Sequence, residues 1–359
     1  AKGSVSWGDY DNDGDLDILA SGSNGSSFAS LIYRNDDGAF TDISAGLIGV
    51  VEPAVAWGDY DSDGDLDIAL SGRQYGSDEL SSYIYRNDGG IFTDINAGLM
   101  GLHEGSIVWG DYNNDGRTDL LLTGKDSLAN TVSIVYENTG GAFTVFPLGG
   151  LISGRTGEWG DYDNDGDLDI LMTGENVGTM LWQNSLVSRS NTVPTAPTGL
   201  NIAYHTMQNI RLSWNRATDA ETPQLGLSYN LIISTTTANA SVQSPMADTA
   251  TGYRRIVALG AEQQTTATIV NDLVPGTTYY WSVQSIDGAY AGSTFATTAS
   301  FTFSPELSLM TTDSLPAVMD GATAWGDYDN DGDLDLLITG DAGSSYISRI
   351  YRNDGGGNF

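Results

Sequence analysis

One stretch constrains this chain more than any other: Trp7-Gly8-Asp9-Tyr10-Asp11-Asn12-Asp13-Gly14-Asp15-Leu16-Asp17-Ile18. It returns almost unchanged from Trp57, Trp109, Trp159 and Trp325. Counted from the first Asp, acids stand at loop positions 1, 3, 5 and 9, with Gly at position 6. Carboxylates at every second residue of a tight loop cannot all point apart, so without a cation between them they repel. Hard oxygen ligands on a flexible loop suit Ca²⁺, which takes about 6–8 oxygens, and the Gly allows the bend. Position 7 contributes its main-chain carbonyl. A plain acidic turn would have no reason to repeat the same four acids.

Five candidate calcium loops follow. The first is Asp9, Asp11, Asp13, Asp15 and Asp17, and the second is Asp59, Asp61, Asp63, Asp65 and Asp67. The third departs, with Asp111, Asn113, Asp115, Arg117 and Asp119. There Asn113 ligates through its amide oxygen and Arg117 needs only its backbone carbonyl. This site keeps three carboxylates beside a cation and is expected to be the weakest. The fourth is Asp161, Asp163, Asp165, Asp167 and Asp169, and the fifth is Asp327, Asp329, Asp331, Asp333 and Asp335. These are not EF-hands, which need a bidentate Glu at position 12 and a helix on each side. Position 12 falls on Ala20, Leu70, Leu122, Met172 and Ile338.

The flanks read as strands. Leu16 to Ala20 and Leu334 to Ile338 are short and apolar, and Ala54 to Trp57 alternates. The Trp markers lie 50, 52, 50 and 166 residues apart. A period near 50 belongs to propeller blades. Each unit offers four strands, the first running into the loop and the second out of it. The third is Leu31–Asn35, matched by Tyr83–Asn87, Ile134–Asn138, Met180–Asn184 and Arg349–Asn353. A Gly-rich hairpin turn follows, then a fourth strand such as Phe40–Ile43 or Phe92–Ile95. The expected fold is all-β: a β-propeller of four-stranded blades, five repeats seen and the last incomplete. The repeated Trp and third-strand aromatic are expected to pack between neighbouring blades.

Unit four breaks the rhythm. A Pro/Thr-rich linker, Asn191 to Pro197, opens an insertion whose residues resemble a fibronectin type III domain. The matching features are Pro197-Thr198-Gly199-Leu200, Leu212-Ser213-Trp214, Tyr229-Asn230-Leu231 and the run from Leu273 to Val283. The resemblance implies an immunoglobulin-like sandwich in which Tyr279 forms a tyrosine corner. The expected domains are residues 1–190 (blades one to four), 195–304 (sandwich inserted in blade four, hanging from its rim) and 305–359. The last comprises the fourth strand of blade four at Glu306–Thr312 and an incomplete blade five.

The repeated loop with its strands resembles the FG-GAP/VCBS repeats of integrin alpha-subunit propellers and of large secreted bacterial proteins, with wording closer to the latter. That resemblance implies Ca²⁺ bound through positions 1, 3, 5 and 9 plus the main chain at 7. It also implies a ring commonly of seven blades, so five units form part of a ring or one completed by other copies.

Charge narrows the partners. The five loops hold 23 of the 47 acids, and the formal net charge is −33. Such a surface argues against nucleic acid or anionic membrane, which need basic patches. There is no Cys, hence no disulfide or thiolate site, and no apolar run approaches the ~20 residues of a membrane span. No signal peptide is visible, so a leader has been removed or the chain is a piece of something longer. No catalytic motif is found. The two histidines, His103 and His205, read as surface residues. The expected role is therefore an extracellular, non-catalytic, calcium-stabilised adhesion or scaffold protein with a protein or glycan ligand. Two alternatives stay open: a filament or layer subunit assembled by strand sharing, and part of a polysaccharide-active enzyme.

Overall fold

The computed structural model describes residues 3–23, 27–36, 38–77, 79–146, 156–163, 165–174, 178–185, 191–204, 209–236, 242–245, 247–254, 256–304, 315–329 and 334–353. They form two compact units, Ala1–Ser304 and Pro305–Phe359. Among the described residues there is no α-helix, and every strand pairing is antiparallel.

The first sheet runs β1 (Ser4–Gly8), β2 (Asp17–Ser23), β3 (Phe28–Asp36) and β4 (Ala39–Asp42), in that order. The second repeats the order with β5 (Val50–Gly58), β6 (Asp67–Gln74), β7 (Leu80–Asn87) and β8 (Phe92–Asp94). The third does so with β9 (Ile107–Gly110), β10 (Asp119–Lys125), β11 (Thr131–Asn138) and β12 (Phe143–Val145). The fourth sheet holds β13 (Thr156–Gly160), β14 (Asp169–Gly174) and β15 (Gly178–Trp182). Its expected outer strand, Glu306–Thr312, lies outside the described residues. Expected fourth strands end one residue early, but Ile43 and Ile95 still donate their N–H to Ile32 and Ile84 carbonyls at 3.1 and 3.0 Å.

The first strands of successive sheets are neighbours, β1 beside β5, β5 beside β9 and β9 beside β13. Sheets therefore stack in chain order. The Trp-Gly pair explains the fit. A Cβ on Gly8 would lie 2.6 Å from Cδ1 of Trp57, and one on Gly58 would lie 2.3 Å from Cδ1 of Trp109. Each indole lies against the glycine of the preceding repeat. Inner sheets are consequently covered on both faces: the first six residues of β6 and of β10 are all buried, whereas β2 alternates. Trp57, Trp109, Trp159, Tyr85 and Tyr136 are buried in this way. Trp7 and Trp182 correct the expectation, since both are exposed, on the first and fourth sheets. No closed ring of sheets is found among the described residues, so the architecture stands as stacked antiparallel sheets, three of four strands and one of three.

The insertion forms β16 (Thr198–Tyr204), β17 (Ile210–Asn215), β18 (Ser228–Ser234), β19 (Ala267–Val270), β20 (Thr278–Ile286) and β21 (Ala299–Thr302). They pair as β16-β17-β19 and β18-β20-β21. The two sheets share one apolar core that includes Leu212, Trp214, Tyr229, Leu231, Trp281 and Phe303. The Tyr279 hydroxyl accepts the Val274 N–H at 2.9 Å.

This sandwich does not hang from a rim. Leu259 packs into the core between the first two sheets, and Tyr290 packs with Tyr112 and Trp159. The Tyr290 hydroxyl donates to the Trp109 carbonyl at 2.6 Å. Burying those side chains favours docking over a free, tethered position. The second unit, described by itself, is one sheet of β22 (Met319–Gly326), β23 (Asp335–Asp341) and β24 (Tyr346–Tyr351), in which Trp325 is exposed.

Candidate metal centre

Each acidic loop spans the turn from the first strand of its sheet to the second. The pairs Gly8↔Asp17, Gly58↔Asp67, Gly110↔Asp119, Gly160↔Asp169 and Gly326↔Asp335 close it. Position 9 is thus the first residue of the outgoing strand. The turn needs left-handed backbone at position 4, where Asn12, Ser62 and Asn114 have φ of 60, 59 and 54°, and at position 6, where Gly14 has 100°. Asn tolerates that region and Gly prefers it.

One hydrogen-bond scheme recurs. In loop one the Asp9 carboxylate accepts the Asp13 and Gly14 N–H groups, both at 3.1 Å. Asp17 accepts the Tyr10 N–H at 3.0 Å and the Asn35 N–H at 2.8 Å. Asp13 accepts the Asp15 N–H at 2.8 Å. Asp59, Asp63 and Asp67 repeat this in loop two, Asp111, Asp115 and Asp119 in loop three, and Asp161, Asp165 and Asp169 in loop four. In loop five Asp335 accepts the Tyr328 and Asn353 N–H groups at 2.7 and 2.8 Å.

These turns bring carboxylates together. Ligand oxygens lie within 4.8 Å of one another in Asp9–Asp11–Asp13, Asp59–Asp61–Asp67, Asp161–Asp163–Asp169 and Asp327–Asp329–Asp335. Asp331 and Asp333 lie outside the described residues. Loop three differs: the Arg117 guanidinium pairs with Asp115 and donates to the Asn138 carbonyl at 2.8 Å. The side chains at position 7 serve elsewhere. Asp65 accepts Asn12 Nδ2 at 3.0 Å and Asp167 accepts Asn114 Nδ2 at 2.5 Å, tying loop one to two and loop three to four.

The donor set fits a divalent cation by two observations. At position 3, Asp11 Oδ1 and Asn113 Oδ1 are both buried and without a hydrogen-bond partner among the described residues. An unsatisfied buried acceptor is costly, and a metal would use it. Burial also opposes ionisation. It pushes Asp59 up to about 8 and Asp67 to about 9, with neighbouring carboxylates adding to the effect. Asp9 and Asp111 are raised to about 7, and Asp119 to about 8, chiefly by the same desolvation. A bound cation would reverse this balance.

Two groups of residues were not assigned roles from sequence. The Asn at or just past the end of the third strand bridges repeats in sheets two to four: Asn87 Nδ2 donates to Leu66 O of its own loop at 3.1 Å and to Tyr10 O of the preceding one at 2.9 Å. Asn138 and Asn184 do the same toward Tyr60 and Tyr112. Its presence in all five repeats was the available signal. Sandwich residues also hold the loops: Gln263 Oε1 accepts the Asp9 N–H at 2.8 Å, and the Gly288 carbonyl accepts the Asp111 N–H at 2.9 Å. Nothing local in the sequence marks them. His103 is half-buried against Glu52 at 2.8 Å rather than a surface residue, because the second and third sheets meet there. His205 lies outside the described residues.

A family model described as an FG-GAP-like repeat matches residues 9–70 and 111–172, each span starting at position 1 of one loop and running through the next. The chain therefore carries FG-GAP-like repeats. No curated protein matches it. Among solved structures, the crystal structure of chicken CNTN1 FN1–FN3 domains aligns over 84% of this chain and 98% of that one, at 9% identity and a TM-score of 0.25. At that score the likeness carries no argument.

Proposed function

We propose that the chain is a calcium-stabilised, extracellular, non-catalytic binding or scaffold module. In this reading the stacked sheets are blades of a β-propeller and the insertion is a fibronectin type III-like sandwich, together presenting loops to a protein or glycan ligand. The observation that carries it is the unpartnered, buried oxygen at position 3 in two separate loops, each set among repeated carboxylates. The pairing order of the sandwich and the Tyr279–Val274 bond support the fibronectin-like part.

Calcium here is structural. All proposed ligands come from one local loop, and each ion pins the turn between two strands. Extracellular modules bind Ca²⁺ with Kd ~10⁻⁴–10⁻³ M. At about tenfold excess over Kd one site adds about 1.4 kcal/mol. Chelation with EDTA is expected to lower the melting temperature by several degrees, reversibly on adding Ca²⁺. An identical melt in EDTA would sink the reading.

A second reading, assembly between copies, is favoured by one feature. Trp7 is exposed, whereas Trp57, Trp109 and Trp159 lie against the glycine of the preceding repeat, so the first sheet offers the indole half of the Trp-Gly contact used inside the stack. Light scattering should then show concentration-dependent assembly in calcium that Trp7→Ala abolishes. A monomer at all concentrations would rule it out.

A further inference from the structure

A cleft of about 740 Å³ opens between loops one and two and the sandwich sheet that contains β17 and β19. On the loop side stand Asp13, Asp15, Asp63 and Asp65. Asn12 Nδ2 bonds both the Gly64 carbonyl, at 3.1 Å, and Asp65, so the two loops make one continuous wall. On the sandwich side stand Arg211, Arg216 and a row of threonines at 265, 266 and 268. Arg216 donates to the Gln264 carbonyl at 3.3 Å, which holds its side chain at the wall. Arg211 is exposed and makes no ion pair among the described residues. Gln264 also lines the cleft. It is 1% exposed, yet neither its amide oxygen nor its amide nitrogen has a hydrogen-bond partner among the described residues.

We propose that this cleft is a calcium-dependent binding site for a carboxylate-bearing oligosaccharide. The volume lies within the ~300–1,000 Å³ of small-ligand sites. The lining is rich in hydroxyls and amides, which match sugar hydroxyls, and no aromatic ring lines it. The ligand is thus held by hydrogen bonds rather than by stacking. Two guanidiniums face the same space in a chain with 14 Lys+Arg against 47 acids. Guanidinium is the side chain that grips a carboxylate through two parallel bonds.

The loop wall sets the calcium dependence. Its carboxylates outnumber the two guanidiniums, so without a cation the cleft repels an acidic sugar. One divalent ion in each of loops one and two removes four of the ten negative charges those loops hold, which lowers the repulsion and leaves the two guanidiniums able to grip a carboxylate. The inference therefore rests on the calcium reading above.

The test is calorimetry on the full chain with hyaluronan tetrasaccharide as the acidic probe and chitotetraose as the neutral one, in millimolar Ca²⁺ and in EDTA. The acidic probe should bind in calcium and not in EDTA, and chitotetraose should not bind. Arg211→Gln, whose melting curve should match the parent's, should weaken binding about tenfold, the worth of one charge-assisted hydrogen bond. Retention of the acidic probe in EDTA, equal binding of the neutral sugar, or an unaffected Arg211→Gln would each overturn the proposal. If calcium is taken up and the acidic probe still does not bind, this inference alone fails. If no calcium is taken up, the calcium reading fails and takes this one with it.

Discussion

At the scale of single residues, the repeated aspartates divide into distinct tasks. In loops one to three positions 1 and 9 are buried and hold backbone N–H groups, so they shape the turn. Position 3 keeps a buried oxygen that no described residue satisfies in loops one and three. Without a cation the buried acids oppose the fold as they ionise. Asp59 and Asp67 have folded pKa values raised to about 8 and 9 from 3.8, so the folded state holds protons that the unfolded chain has released. Their contribution is intact below the unfolded value and is lost as pH rises toward the folded one. In EDTA the melting temperature should therefore fall as pH rises from about 4 to about 9, whereas saturating calcium should largely remove that slope. A chelated protein whose stability rises across this window would contradict the assignment. That acids converge in these loops was legible in the sequence, because their spacing brings three of them together in loops one, two, four and five. Which are buried was not, since that depends on the neighbouring sheets.

At the scale of strands and sheets, the repeat is held together by two devices of different legibility. The Trp markers were readable, because a large aromatic at a fixed place in each unit has to be buried somewhere. Their partner was not: the glycine beside each Trp matters because the next repeat's indole occupies the space of a Cβ. The other device is the third-strand Asn. Asn87 is fully buried, donates to Tyr10 and Leu66 carbonyls, and accepts the Gly90 N–H at 2.6 Å. Asn35, in the first sheet, donates to the carbonyl of its own Leu16 at 3.1 Å at an exposed position. Asn87→Ala should cost about 2–3 kcal/mol because it leaves buried carbonyls unpaired, and Asn35→Ala less than about 1 kcal/mol. Denaturant unfolding of the two variants checks this. Equal losses would mean that the bridge between repeats does not carry stability. Trp7 and Trp182 show the limit of pattern reading, since a repeat identifies a packing position but not whether a neighbour is there to fill it.

At the scale of the molecule, charge and docking belong to one arrangement. The loops gather 23 of 47 acids at one end of each sheet. The inserted sandwich sits against those loops through Gln263 and Gly288, and Gly116 of loop three lies so close to the Glu221 carbonyl that no Cβ would fit. Strands of the insertion at Leu212–Trp214, Tyr229–Leu231 and Tyr279–Val283 were readable from its turn and aromatic pattern. Its place was not, because docking pairs residues more than a hundred positions apart through backbone groups that leave no motif. Cations in the loops are the proposed lock on each turn, and calorimetric titration of the chelator-stripped chain with Ca²⁺ tests that most directly. Saturable uptake at several sites per chain is predicted, with Kd ~10⁻³ M or tighter. Loop three, whose Asp115 is engaged by Arg117, should fill last, and Asp61→Asn should weaken one of the tighter sites. No uptake at millimolar calcium, or heats unchanged by Asp61→Asn and by loss of the other position-3 oxygens, would contradict it.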